Sequence, residues 1–276
     1  MDRAVQGRWH RVVLWSAVAL FALPLLLMLT GPLRTPGAPP PTSFELIPPN
    51  PSLKSFVDAF ALVPLARSLL NSLWVCLWAV PLTVVCASMA GLALTLLEGR
   101  SRNLLIGLLL LAAVVPVTAI WIPRFLLFDA LGLVGSYLPL IAPALMGGSP
   151  LFVLLYHVSM RRIPPELFDA ARMEGAGILR IWWQVALPLV KPTTAAIALL
   201  SVVLFWGNFI DPLLYLRAER DLTAPPMLHA LELLGPTNWP VFLAGAVVIT
   251  APVAIAFLLA QRFLWSLERG SGWLGR

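Results

Sequence analysis

The feature that most limits what this chain can fold into is a set of uncharged apolar stretches. Each is about as long as the ~20 residues that cross the ~30 Å hydrocarbon core of a bilayer. Val12 to Leu29, Ser68 to Leu97, Leu104 to Pro123, Tyr137 to Tyr156 and Val241 to Ala260 contain no Asp, Glu, Lys or Arg. Thr193 to Leu216 contains one acid, Asp211. Inside lipid every backbone N–H and C=O must be satisfied within the protein, so runs of this kind are expected to be helices. An all-α polytopic protein with six transmembrane helices follows. Only 12% of the 276 residues are charged and 59% are hydrophobic. A soluble domain carries about 25% charge, so too little polar surface is left to face water all round.

The charges that remain are distributed by side. With the N-terminus taken as cytoplasmic, 13 of the 19 Lys and Arg fall in the inside segments and 6 in the outside ones. Basic residues concentrate in cytoplasmic loops, so both termini are expected inside. The formal net charge of +6 is accounted for by this bias, and nucleic acid is not an expected partner. The first run exceeds a signal-peptide core and no A-x-A cleavage site follows, so it is taken as a span. Thr30 to Pro51 holds prolines at 32, 36, 39, 40, 41, 48, 49 and 51 and is expected to be an extended external loop. Cys76 and Cys86 lie ten residues apart in one run. That is about 15 Å along a helix, too far for a disulfide.

Several chemistries lack their residues. No G-x-x-x-x-G-K-[ST] loop is present, so the chain is not expected to hydrolyse a nucleotide by that route. His10, His157 and His229 are far apart and have no Cys or carboxylate cluster beside them. Neither G-x-S-x-G nor H-E-x-x-H occurs. No catalytic residue, metal ligand or cofactor of the chain's own is expected.

The segment 158–191, between the fourth and fifth spans, is unlike the rest. Pro164-Pro165 suits the first turn of a short helix. Glu166 and Asp169 lie near its positive N-terminal end, and Gly175 and Gly177 stop it. Leu167, Ala170, Ala171 and Glu174 share one face by the helical period, with two alanines permitting close approach of a partner. On the residues alone, a helix lying on the membrane surface explains the pattern equally well. Within the spans, Asn71, Asn208 and Asp211 are the costly polar groups, with Trp206 and Phe209 beside the last two. They either line a solute pathway, whose sugar would need donors, acceptors and aromatic faces, or hold helices together.

The loop segment resembles the E-A-A-x-x-x-G-x9-I-x-L-P motif of the permease subunits of bacterial ABC importers. It stands here as Asp169-Ala170-Ala171, Gly175 after three residues, and Val185-Ala186-Leu187-Pro188. Further segments resemble the carbohydrate branch: Asn71-Ser72-Leu73, Leu131-Gly132-Leu133, Ile163-Pro164-Pro165-Glu166-Leu167, Trp206-Gly207-Asn208-Phe209-Ile210-Asp211-Pro212-Leu213 and Gln261-Arg262-Phe263. Gly207 and Asn208 replace the usual Asn and Asp, and the usual G-A-V-K-G tail is absent. The likeness implies the type I importer permease fold of the maltose and glycerol-phosphate group. It further implies an N-terminal helix and external loop (1–66), a permease core (67–265) and a cytoplasmic tail (266–276). A second homologous permease, a cytoplasmic ATPase dimer using ATP and Mg, and an external solute-binding protein would be partners. Glu166, Leu167, Asp169, Ala170, Ala171, Glu174, Gly175, Leu187 and Pro188 would meet the ATPase. The solute would be a sugar or sugar-phosphate-like polyol. The alternatives are a polyamine, phosphonate or other anion as solute, or a membrane scaffold or enzyme.

Overall fold

The computed structural model describes residues 2–37, 45 and 47–270. Residues 38–44 and 46 of the proline-rich loop, and 271–276 of the expected tail, lie outside the described residues. Among those described, every regular element is helical: α1 (Asp2–Thr30), α2 (Lys54–Leu62), α3 (Leu65–Leu96), α4 (Gly99–Val114), α5 (Trp121–Ala130), α6 (Leu138–Ile141) and α7 (Pro150–Met160). There follow α8 (Pro165–Met173), α9 (Ile178–Ile181), α10 (Leu187–Leu189), α11 (Lys191–Trp206), α12 (Ile210–Tyr215), α13 (Ala224–Glu232) and α14 (Trp239–Gly270).

Four helical stretches are long and apolar enough to cross a membrane alone: Val13–Leu33, Leu65–Leu96, Leu138–Met160 and Pro236–Gln261. Two bent pairs, Gly99–Val114 with Val117–Ala130 and Ile178–Leu189 with Lys191–Trp206, raise the number to six where each pair is counted as one broken span. The third run is broken at Pro116 and the fifth over 207–209, while the second bent pair bends at Val190, ahead of the fifth run. The third breaks because Pro116 has no N–H to give and forces Val115 out of the helical region, to φ −64° and ψ 120°. The chain direction turns by 90° there. The fifth ends α11 at Trp206 and restarts at Ile210, since Pro212 cannot donate to the carbonyl of Asn208 four residues earlier.

The chain forms two compact units, Met1–Arg67 with Pro226–Ala251 and Ser68–Pro225 with Pro252–Arg276. Segment 226–251 thus groups with the N-terminal part. In the first unit Ala59, Leu65, Met227, Leu231, Val241 and Ala244 are almost fully buried. None of the residues in the apolar window of the α1 span is fully buried. At its end Gly31 sits directly against the Leu243 side chain of α14, which would have to shift to admit a Cβ.

In the larger unit, α3 presents Thr83, Ala87, Gly91 and Thr95 at four-residue spacing, hence on one face. A Cβ added to Gly91 would stand 2.5 Å from the Cβ of Tyr156 on α7. One at Gly147 would meet Ala87 at 3.2 Å, and one at Gly148 would meet Thr83 at 2.9 Å. Thr95 Oγ1 lies 3.1 Å from His157 Nδ1, while also donating to the Gly91 carbonyl at 2.8 Å. Small residues let helices approach closely in lipid, where apolar side chains gain nothing by leaving their surroundings. The Gly147-Gly148 break, with φ +79° and +71°, brings the backbone before α7 onto this face, and Ser149 Oγ then caps α7 by accepting from Leu151 N–H. Gly91→Leu is expected to destabilise the assembled protein by about 1–3 kcal/mol through overpacking. Gly107→Leu, on α4 with no atom within 4 Å of its added Cβ, is expected to be neutral. Thermal unfolding of both purified variants checks the contrast.

Candidate functional site

The loop helix forms where the prolines place it. Pro164 is extended (φ −55°, ψ 129°) and α8 starts at Pro165 with Glu166 in its first turn and Arg172 in its last. It closes in a Schellman turn: Gly175 N–H donates to the Arg172 carbonyl and Ala176 N–H to the Ala171 carbonyl, both at 2.9 Å. Gly175 holds φ +80°, the left-handed conformation this turn needs. Gly177 does not help to stop α8; it is extended and opens α9.

One side of α8 is built into the larger unit. Phe168 is buried with Ile163, Ile181, Ala186 and Val190, in the same core as Leu92 and Leu94 of α3, Tyr156 and Met160 of α7 and Ile197 of α11. The other side is open: Glu166, Leu167, Asp169, Ala170, Met173 and Glu174 are exposed. Two expectations need correction. Ala171 turns partly inward and packs on the Phe168 core, because it lies three residues after Phe168 on the helix. Leu187 packs on that same core rather than facing outward. Asp169 stays exposed, its Oδ1 accepting from Arg172 Nη1 at 3.1 Å, a contact of little energetic weight.

Pro188 is exposed, and its effect is on the backbone. Its missing N–H and its ring disturb the helix four residues back at Gln184, and Trp182–Ala186 is wound as a π-turn. Trp182 Nε1–H donates to Ser88 Oγ of α3 at 2.9 Å, pinning the turn. Met173, not singled out in the sequence, is 89% exposed. Its signal was there: it stands three residues after Ala170 and so shares its face.

The polar residues of the spans do not gather into one open surface. Asn71 Nδ2 donates to the carbonyls of Arg220 (3.1 Å) and Leu222 (3.0 Å), so both amide hydrogens are spent on a loop. Trp206 is buried with Phe205, Cys76 and Ala79. Asn208, Phe209 and Asp211 stand together at the break before α12, the first two half-buried and Asp211 only 6% exposed. Asp211 is neutralised by Arg124 of α5, whose Nη2 donates to Oδ1. Its Oδ2 accepts from Asn208 Nδ2 at 2.8 Å, and its backbone N–H returns to Asn208 Oδ1 at 3.2 Å. Arg124 Nε also donates to Tyr215 Oη at 3.0 Å, with the guanidinium 5.5 Å from that ring's centroid. Tyr215 in turn packs on Phe125 and Phe128.

This arrangement joins α5 to α12 and leaves both carboxylate oxygens occupied. Asp211 and Asn208 thus take part in a tie between helices, and Arg124 and Tyr215 are the partners that sequence reading missed. An acid within a span demands a base, and Arg124 ends an apolar run at Pro123. That requirement was the available signal. Two exposed aromatics lie elsewhere, Trp74 and Trp78 of α3, which line an apolar groove with Tyr137 and Ile141.

Asp211→Asn or Arg124→Gln alone is expected to cost about 3–5 kcal/mol, since each leaves a buried charge without its counter-charge. The double variant is expected to cost less than the sum of the two. Thermal stability of the four proteins, taken as a double-mutant cycle, measures the coupling.

Residues 59–265 match the family described as binding-protein-dependent transport system inner membrane component. The chain is 34% identical over 193 residues to the arabinooligosaccharides transport system permease protein AraQ of Halalkalibacterium halodurans, covering 70% of this chain and 68% of that protein. It is 26% identical over 274 residues to the melibiose/raffinose/stachyose import permease protein MelC of Bacillus subtilis, covering 98% and 99%. Its fold is similar to a chain in the crystal structure of a bacterial ABC transporter that imports the acidic polysaccharide alginate. That likeness has a TM-score of 0.76 at 21% identity and covers 95% of this chain and 98% of that one. The chain belongs to the family of binding-protein-dependent transport system inner membrane components.

Proposed function

We propose that this permease subunit of an ATP-binding-cassette importer carries an oligosaccharide or related polyol inward by alternating access, driven through α8. The observation that carries the coupling role is the two-sidedness of that helix. Its outer face offers Leu167, Ala170 and Met173, ringed by Glu166, Asp169 and Glu174. Its inner face reaches through Phe168 into a core shared by α3, α7 and α11. A displacement of α8 by a docked ATPase would therefore move three membrane helices together. Small Ala170 admits close approach, and flexible Met173 keeps contact while the partner moves.

The remaining partners are a second homologous permease, a cytoplasmic ATPase dimer that binds ATP and Mg, and an external solute-binding protein. Both termini are cytoplasmic, which puts α8 on the ATPase side. The charge split along the chain supports this orientation. A carbohydrate as solute is supported by the names of the relatives, which transport arabinooligosaccharides and the melibiose group. Uptake of labelled oligosaccharides by vesicles holding the assembled transporter tests the substrate class. Transport of a polyamine or phosphonate in their place would refute it.

Gly175 separates a coupling role from a passive one. No atom lies within 4 Å of an added Cβ there, so a side chain fits and the strain is in the backbone alone. Gly175→Asn is expected to retain most uptake, since Asn tolerates the left-handed region. Gly175→Val is expected to lose about 1–2 kcal/mol from this turn, and with it ATPase copurification and uptake, while the spans still insert. Ala170→Trp, on the open face, is expected to abolish copurification without lowering the stability of the permease. Uptake assays and pull-down of the ATPase read each outcome.

A further inference from the structure

The external loop carries a short amphipathic helix whose open face has no use in the transport mechanism above. In α2, Ser55 and Ala59 are fully buried, and Val63 just beyond its end is buried too. The opposite side shows Leu53, Val57, Phe60 and Ala61, at positions i, i+4, i+7 and i+8 of one helical face. Val57 is 65% exposed and Phe60 45%. Lys54 stands at the edge of this stripe.

The depth of α2 is fixed from both ends. The carbonyl of Leu33, where the first span ends, accepts from Ser52 N–H at 2.8 Å. The carbonyl of Arg34 accepts from Ser55 Oγ at 2.8 Å. At its other end α2 stops at Leu62, and α3, the second span, begins at Leu65. A third marker agrees. The Arg34 guanidinium lies 5.8 Å from the ring centroid of Trp239, the first residue of α14. It also donates to Glu45 Oε2 at 3.1 Å. An Arg between a Trp face and a carboxylate at the mouth of a span is the arrangement of a membrane–water boundary, where Trp collects.

We infer that α2 lies in the plane of the membrane interface, with Leu53, Val57 and Phe60 seated among lipid headgroups and upper acyl carbons. The occupant of the stripe is thus lipid. A helix of this size tied to one span and running into the next cannot stand clear of the bilayer surface, and the span it is tied to has no fully buried residue in its apolar window. Lys54 at the edge can extend its ammonium toward lipid phosphate while its stem stays on the apolar side. The inference requires only that α1 and α3 cross a bilayer, and holds for either orientation and any solute.

The test uses the assembled transporter in vesicles of phosphatidylethanolamine and phosphatidylglycerol. Cys76 and Cys86 are replaced by Ala, and single cysteines introduced by Val57→Cys, Phe60→Cys or Arg217→Cys carry a bimane label. Lipids brominated high on the acyl chain are expected to quench bimane at 57 and 60 at least about twofold, with little effect at 217, and iodide in the water is expected to show the reverse order. Free access of iodide to 57 and 60 without lipid quenching would overturn the inference by placing the stripe in water. Shielding from both quenchers would overturn it in favour of a protein partner on that face. Because transport is not read, failure here leaves the importer assignment untouched.

Discussion

In the larger unit the close approach of helices is set by the face of α3 that carries Thr83, Ala87, Gly91 and Thr95. Lipid tails are as apolar as leucine, so helices in a bilayer are held by close contact and hydrogen bonds rather than by escape from water. Gly91 lets α7 come near enough for Thr95 to meet His157, and Ala87 and Thr83 receive the glycine break before α7. The core above this seam, from Tyr156 to Phe168, exists because that distance is short. A loop helix docked on a loosely packed bundle would move without moving anything else.

The parts of the fold that depend on hydropathy could be read directly. Uncharged runs gave the helical class and the crossings, and prolines 164 and 165 with Gly175 gave the bounds of α8 to within two residues. What the residues alone could not tell was which of the prolines would break a run. Pro81 and Pro252 lie inside continuous helices, yet Pro116 ends one. A proline in lipid can be absorbed by neighbours that satisfy the freed carbonyl, and those neighbours are tertiary information. The same reason explains Ala171. The helical period set it beside Leu167 and Glu174, but only the position of Phe168 decides which edge of that face is covered.

The polar groups carry a similar lesson. An acid in a span invited the idea of a solute contact, and Asn71, Asn208 and Asp211 were grouped on residue type alone. Their partners separate them. Asn71 holds a loop carbonyl pair, while Asp211 is shared between Arg124 and Asn208. Burial and desolvation explain why these groups need partners at all. Trp206, the aromatic expected beside them, fills a core with Phe205 and Cys76.

The first span has a consequence for how the protein is made. None of the residues in its apolar window is fully buried, so packing against later segments is not what holds it in place. It can partition into the bilayer on hydropathy alone. Its insertion does not wait for α3 or α7 to pack. Errors in packing the later helices, such as a swollen Gly91, would yield a correctly oriented but unassembled subunit, left in the membrane for quality-control proteases to find.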